Sequence, residues 1–248
     1  MDQYLESYDK FEKTLVYSFT IQCGGLGDLI KFFMYSLYLC IKNNTKIKYL
    51  IHNNTIEKYL KLKQPKMYIT REEINNQNTT IVTPLELYGI CSYDCTLPYK
   101  VDDVFYFSDE VIHNSINYQL TDYISIHLRL GDKYLETDKK YVICENDERL
   151  YDKDKMIKFI EDNRDTNIMF FCDNKQYKKD IKEKFTNIFI TDYDIGHTGL
   201  TNTTEIQVIN TITDFFLMSN SRYIYAASNS GFSLMASRFK NIELITDG

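Results

Sequence analysis

The chain has 248 residues, 44% of them hydrophobic and 26% charged, which suits a globular protein of one large domain or two smaller ones. Its formal net charge is −6, with 35 acidic residues against 29 Lys and Arg, so no domain-wide basic surface exists and nucleic acid is excluded as the main partner. Any positive site must be local. The longest apolar-rich stretch, residues 29–41, is interrupted by Lys31 and Ser36 and is too short to span a bilayer, so no transmembrane segment is expected. The polar N-terminus, MDQYLESYDKFEK, lacks a signal-peptide pattern. The six cysteines (Cys23, Cys40, Cys91, Cys95, Cys144 and Cys172) include no C-x-x-C pair. Several lie in apolar runs and read as buried thiols of a reducing, cytoplasmic compartment. With four His in the chain, no metal site is expected.

In chain order, residues 15–22 (LVYSFTIQ) predict a first strand. The loop Cys23-Gly24-Gly25-Leu26-Gly27-Asp28 follows. Leu29, Ile30, Phe33, Met34, Leu37, Tyr38 and Ile41 then recur at helical spacing. The unit is strand, glycine loop, helix. Such a loop lets a ligand approach the backbone closely and opens a helix whose first N–H groups are unpaired. It fits a plain tight turn as well, and it is neither a Walker loop nor G-x-G-x-x-G. Residues 46–51 predict a second strand, Asn54-Thr55 a cap for a helix over 56–62, and 79–82 a short strand. Residues 84–117 give little pattern beyond a strand over 104–107 and a loop about Pro98 and Asp102-Asp103. A domain boundary is expected at residues 114–120.

The second half opens on YISIHLRLGD, a buried strand that ends abruptly in His127, Arg129 and, after Gly131, Asp132. Residues 133–147 are highly charged and read as a mobile loop. An amphipathic helix is expected over 152–163, with Met156, Ile157, Phe159 and Ile160 inward, and a buried strand over 167–172 ending at Asp173-Asn174. A helix over 175–185, a strand over 188–191, a loop with Gly196-His197-Thr198-Gly199 and a helix over 204–219 follow. The last units are a strand over 222–226, the loop Ser228-Asn229-Ser230-Gly231, a helix over 232–238 and a strand over 242–245. Strands alternating with helices predict an α/β fold with parallel sheets built from βαβ units.

Three strand ends in the second half therefore carry polar chemistry: residues 127–132, 172–174 and 228–233. Strand C-termini are where open α/β sheets bind ligands. Arg129 has a rigid donor fork suited to phosphate, and an ion pair at a domain surface explains it equally well. Ser228 to Ser233 forms a hydroxyl-rich turn opening a helix, an arrangement that binds phosphate or simply caps the helix. Asp173-Asn174 fits a helix N-cap or an acceptor for a nucleobase. Taken together, the three point to a nucleoside diphosphate pocket, faced from the first half by the glycine loop.

The glycine stretch G-G-L-G-D-L-I resembles the N-terminal G-G-L-G-N-Q motif of the α-1,2-fucosyltransferases. Residues 126–132 resemble their H-x-R-R-G-D motif, 170–174 their strand ending in Asp, and 214–233 (DFFLMSNSRYIYAASNSGFS) their D-x-x-L-M-S…I-x-S-N-S-x-F-S segment. The four segments keep the family order over nearly the whole chain. The resemblance implies two facing Rossmann-like domains of the GT-B type, here residues 1–118 on the acceptor side and 119–248 on the donor side. It also implies GDP-fucose as donor, a glycan hydroxyl as acceptor, inversion at the anomeric carbon, and no metal or other cofactor.

On this resemblance Arg129 holds the β-phosphate, His127 and Asp173 contact the guanosine, and Ser230 and Ser233 help bind phosphate, with Asn229 just before them and Gly25 and Gly27 opposite. Asp28 is the first candidate for a catalytic base and Asp132 the second, although Asp132 also suits a clamp on Arg129. His197, between glycines, is a candidate for the acceptor side. Two positions depart from the family: Leu130 replaces its second Arg, and Asp28 its Asn. The glycine loop also resembles the opening of the heptosyltransferases, which keeps other nucleotide-sugar donors open, as well as a non-catalytic binding relative. Replacing Arg129 by Ala is expected to abolish transfer while leaving the melting temperature within a few degrees.

Overall fold

A computed structural model describes residues 1–74, 78–91, 99–118, 120–134 and 146–246. The expected loop at 133–147 is described only at its ends, and Cys95, Cys144 and Pro98 lie outside the described residues.

The first half begins with α1 (Asp2–Ser7), whose Tyr4 lies in the core. Strand β1 (Thr14–Tyr17) leads through the glycine loop into α2 (Leu26–Lys42). The strand is shorter than its apolar run because its neighbour ends with it: the last rung is Ser18 N–H to the carbonyl of Val82. Strand β2 (Lys46–Leu50) follows, then α3 (Thr55–Tyr59). Asn54 caps α3 reciprocally, its Oδ1 accepting from Glu57 N–H at 3.1 Å while Glu57 Oε2 accepts from Asn54 N–H at 3.2 Å. The expected helix does not reach residue 62. Residues Leu60–Leu62 are instead strand β3, paired antiparallel with β6 (Phe105–Phe107), so alternation of Leu60 and Leu62 around Lys61 wins over helical spacing. Strand β4 (Tyr68–Ile69), β5 (Thr79–Val82), α4 (Pro84–Leu87) and α5 (Asp109–Ser115) complete this half.

In the second half come β7 (Ile124–Leu128), α6 (Lys153–Asp162), β8 (Ile168–Cys172), α7 (Lys175–Lys184), β9 (Ile188–Phe189), α8 (Glu205–Ser219), β10 (Tyr223–Ala226), α9 (Gly231–Lys240) and β11 (Glu243–Thr246). Side chains of Asp152, Asn174, Thr204 and Ser230 cap the four helices α6 to α9. Met156 and Ile160 of α6 are buried and Ile157 and Phe159 partly so, as their spacing predicts. Ile206, in the first turn of α8, is exposed.

Two parallel sheets result, ordered β4-β2-β1-β5 and β11-β10-β7-β8-β9. Strands β1 and β7 each open their sheet and have later strands on both sides. Each is therefore a point where the winding direction reverses, and a crevice opens at its C-terminal end. In the second sheet His127 of β7 stands in register between Phe171 of β8 and Ala226 of β10.

The halves share one apolar core. Phe33 and Leu37 of α2 belong to the same cluster as Phe215 of α8 and Met235 and Phe239 of α9, all buried. Phe107 joins it from the two-stranded sheet, its ring 4.6 Å from Phe239 and 5.1 Å from Phe216. Each such ring contributes about 1.5–3 kcal/mol by leaving water, so these helices hold both crevices in fixed relation. No described helix is long and apolar enough to cross a membrane.

Candidate functional site

A cavity of about 410 Å³ opens where the crevices of the two sheets face each other. From the first half it is lined by Gly25, Gly27 and Asp28, and from the second by His127, Arg129, Asp173, His197, Asn229 and Ser230. Nine of the residues singled out from the sequence thus share one wall, although they lie more than 200 positions apart at the extremes. Two do not line it. Asp132 is 4% exposed and sits behind Arg129. Ser233 is fully buried, its hydroxyl donating to the Ser230 carbonyl at 3.2 Å, so it braces the turn.

Two helix N-termini meet in this cavity. Gly25 is the N-cap of α2 and Ser230 that of α9, where Ser230 Oγ accepts from Phe232 N–H at 3.2 Å. The helices abut at Gly27 and Gly231 with no space for a side chain. Each helix end carries about half a positive charge, so their convergence favours an anion. The glycine loop is tied down from the second half: Leu26 N–H donates to Thr198 Oγ1 at 2.8 Å and Gln22 N–H to the Gly199 carbonyl at 2.9 Å. His197 packs against Gly25 and accepts at Nδ1 from Gly199 N–H at 3.2 Å. Asp28 Oδ2 accepts from Gly25 N–H at 3.0 Å, so this carboxylate caps its own helix while facing the cavity.

Arg129 is held on every side. Ser228 Oγ accepts from its N–H at 2.8 Å and donates to its carbonyl at 2.9 Å, stitching the ends of β7 and β10 together. Its guanidinium pairs with Asp132 and lies 3.4 Å from Asp147 Oδ2. Its buried Nε has no hydrogen-bond partner among the described residues, nor has Nδ1 of His127 beside it. Orphaned buried donors and acceptors are costly unless a ligand or water meets them. Burial, with the charge of Arg129 adding to it, pushes His127 down to about 3, and the same causes push His197 down to about 3. Both imidazoles are therefore neutral near pH 7.

Asp173 carries a structural duty the sequence did not reveal. Its two oxygens accept from Leu130 N–H at 2.8 Å and Gly131 N–H at 3.0 Å, shaping the turn after β7. Burial raises its pKa, opposed by Arg129 and those N–H groups. Asn174, its neighbour, is the N-cap of α7.

The floor holds a residue that the sequence reading quoted only as the first letter of the D-x-x-L-M-S segment and gave no role. Asp214, 2% exposed, lines the cavity from the buried face of α8 and accepts from Tyr193 OH at 2.7 Å. Burial raises its pKa, and Lys178 opposes the rise. A carboxylate followed directly by Phe215, Phe216 and Leu217 was the available signal, since charged groups are seldom buried without a partner or a task. Arg149 and Asp147, from the charged segment after β7, also gave no local pattern.

No protein-family model matches the chain, and no curated protein matches it in sequence. Solved structures do resemble it. NodZ α-1,6-fucosyltransferase soaked with GDP-fucose superposes with a TM-score of 0.57 at 10% identity, over 92% of this chain and 93% of that one. A point mutant of Arabidopsis thaliana FUT1 in complex with GDP gives 0.59 at 10% identity, over 99% and 74%. POFUT1 in complex with GDP gives 0.52 at 10% identity, over 95% and 98%. At this identity the likeness is one of fold: the chain has the GT-B architecture, two facing Rossmann-like units with parallel sheets flanked by helices.

Proposed function

We propose that the chain is a glycosyltransferase whose cavity binds a nucleoside diphosphate sugar, and that it moves fucose from GDP-fucose to a hydroxyl of a glycan acceptor with inversion. The observation that carries this reading is the convergence of two helix N-termini and Arg129 on one cavity. Three of the structures sharing the fold were solved with GDP or GDP-fucose. The order of the four motifs supports the α-1,2-like assignment within that fold. In this reading residues 119–248 bind the donor and residues 1–118 serve the acceptor.

Breaking the bond between the sugar C1 and the phosphate oxygen leaves charge on the β-phosphate. Arg129, the N–H groups opening α2 and α9, and Ser230 would meet that charge as it develops, without a metal ion. Their pre-set orientation means no reorganisation is needed at the transition state. Asp132 acts in this scheme by holding Arg129, since its burial behind the guanidinium removes it from the acceptor path. Of the cavity-lining carboxylates Asp28, Asp173 and Asp214, only Asp28 comes from the first half. It is therefore the group placed to take the acceptor proton, with His197 beside the same loop. Asp214 and His127 are placed for the nucleobase, Asp214 as acceptor for the paired N–H donors of guanine and His127 through its orphaned Nδ1.

The test is binding of GDP, ADP and UDP by calorimetry and thermal shift, followed by transfer assays with GDP-fucose on an acceptor panel. Selective stabilisation by GDP is the expected result; indifference to all three would sink the reading. One observation favours a second reading, a non-catalytic nucleotide-binding relative: Asp28 is already engaged by Gly25 N–H, which weakens it as a base. GDP binding without turnover of any donor would select that alternative.

A further inference from the structure

Arg129 does not offer its positive charge freely. It pairs with Asp132, lies within reach of Asp147 and shares Asp147 Oδ2 with Asp132 N–H, which donates to it at 3.2 Å. One cation facing Asp132 and Asp147, with Asp173 behind the turn on the N–H groups of Leu130 and Gly131, leaves the turn after β7 formally negative, a poor surface for a diphosphate. The next residue adds nothing, because Leu130 is buried in the apolar cluster beneath β7. Neither imidazole in the wall makes up the deficit, since both are neutral.

The missing charge comes from the far side of the segment that follows. Arg149 lines the cavity, and its Nε lies 2.8 Å from Asp147 Oδ1 in an ion pair. Its backbone N–H donates to the carbonyl of Leu130 at 2.8 Å, which fastens it beside the turn. Gly131 permits this docking: at φ +111° it has no Cβ, and one placed there would collide with the carbonyl of Asp147. Asp147 thus carries one guanidinium on each carboxylate oxygen. The Arg149 side chain is 43% exposed, so it can turn the rest of its donor fork to a ligand while Nε stays on Asp147.

We propose that Arg149 is a second phosphate-binding guanidinium of this cavity, positioned beside Arg129 by Asp147 and supplying the charge that Leu130 does not. The proposal rests on the donor-site reading above. With Arg149 included, two guanidiniums offset Asp132 and Asp147, Asp173 is taken up by the N–H groups of Leu130 and Gly131, and the two helix N-termini add positive potential at the phosphate position. The role belongs to binding phosphate, not to shaping the turn, because Asp173 and Ser228 already hold the turn without it.

The experiment compares GDP, guanosine and inorganic pyrophosphate on the full chain by titration calorimetry, for wild type, Arg149→Ala, Arg149→Lys and Arg129→Lys. Arg149→Ala is expected to weaken GDP and pyrophosphate about tenfold or more while guanosine affinity stays within about twofold, and Arg149→Lys to fall between, keeping charge but losing the fork. Parallel losses for GDP and guanosine would mark a structural role and overturn the proposal. So would unchanged GDP affinity in Arg149→Ala when Arg129→Lys loses it, an outcome that leaves the donor-site reading standing. A wild type that binds neither GDP nor pyrophosphate overturns both.

Discussion

Gly27 and Gly231 meet backbone to backbone: a Cβ on Gly27 would lie 2.8 Å from the Gly231 carbonyl carbon and 3.0 Å from the amide nitrogen of Phe232. This contact joins the first turns of α2 and α9, one from each half, and sets the distance between the two positive helix ends. Neither side can yield by rotating a side chain, because both partners are backbone.

Gly27→Ala should therefore separate the helix ends. The expected cost is about 1–3 kcal/mol from overpacking, read from chemical denaturation, together with weaker GDP binding. Wild-type stability and affinity in this variant would mean that the contact does not set the geometry of the cavity.

Arg129→Ala should reduce transfer about 100- to 1000-fold, as expected for losing a group that meets developing phosphate charge. Contrary to the expectation from sequence, the melting temperature should also drop. Asp132 is 4% exposed and would lose its ion pair with Arg129, a loss of about 3–5 kcal/mol. The double variant Arg129→Ala with Asp132→Asn should recover much of the stability and none of the transfer. Recovery of both would remove Arg129 from the mechanism.

Acid should destabilise the fold through His127 and His197. Each has an ordinary pKa of 6.5 that folding lowers to about 3. Below 6.5 the unfolded chain takes up protons that the folded chain refuses, so stability present in full above that pH is lost progressively as pH falls toward 3. Asp173 and Asp214, whose pKa values are raised, act in the opposite sense and soften the fall. Melting temperatures from about pH 8 to about pH 4.5 should decline for wild type and decline less for His127→Asn. Parallel curves would show that His127 is not held neutral.

Asp214→Asn should lower the preference for GDP over ADP, because an amide cannot accept both N–H donors of guanine. Competition titration of the two nucleotides checks this. Loss of stability is expected as well, since Lys178, 1% exposed, would keep its charge and its bond to Thr191 Oγ1 at 3.1 Å while losing the attraction of the Asp214 carboxylate. An unchanged nucleotide ratio would take Asp214 out of base recognition.

Much of the architecture was legible because its signals are local. The alternation of apolar runs with 3.6-residue periodicity marked most strands and helices of the second half to within a residue or two, from β7 through α9. Capping residues such as Asn54 and Asn174 marked where helices start. The short pieces failed: β3 was taken into a helix, and α4 and α5 were not foreseen, because a few residues carry too little periodicity to outweigh packing. Ranges such as 15–22 and 188–191 were over-extended, since a strand stops where its partner does.

The sequence by itself determined that strand ends would carry a glycine loop, an Arg turn and a Ser-Asn-Ser turn, each opening or adjoining a helix. Those features depend on neighbours within a few positions, and local backbone preferences decide them. Only the tertiary structure decided that Gly27 rests on Gly231, that Asp132 stands behind Arg129 instead of in the cavity, that Asp173 spends both oxygens on the turn, and that Asp214 and Arg149 reach the same wall. Such contacts join residues far apart in the chain. They follow from how the shared core of α2, α8 and α9 sets one sheet against the other, and no local pattern records that distance.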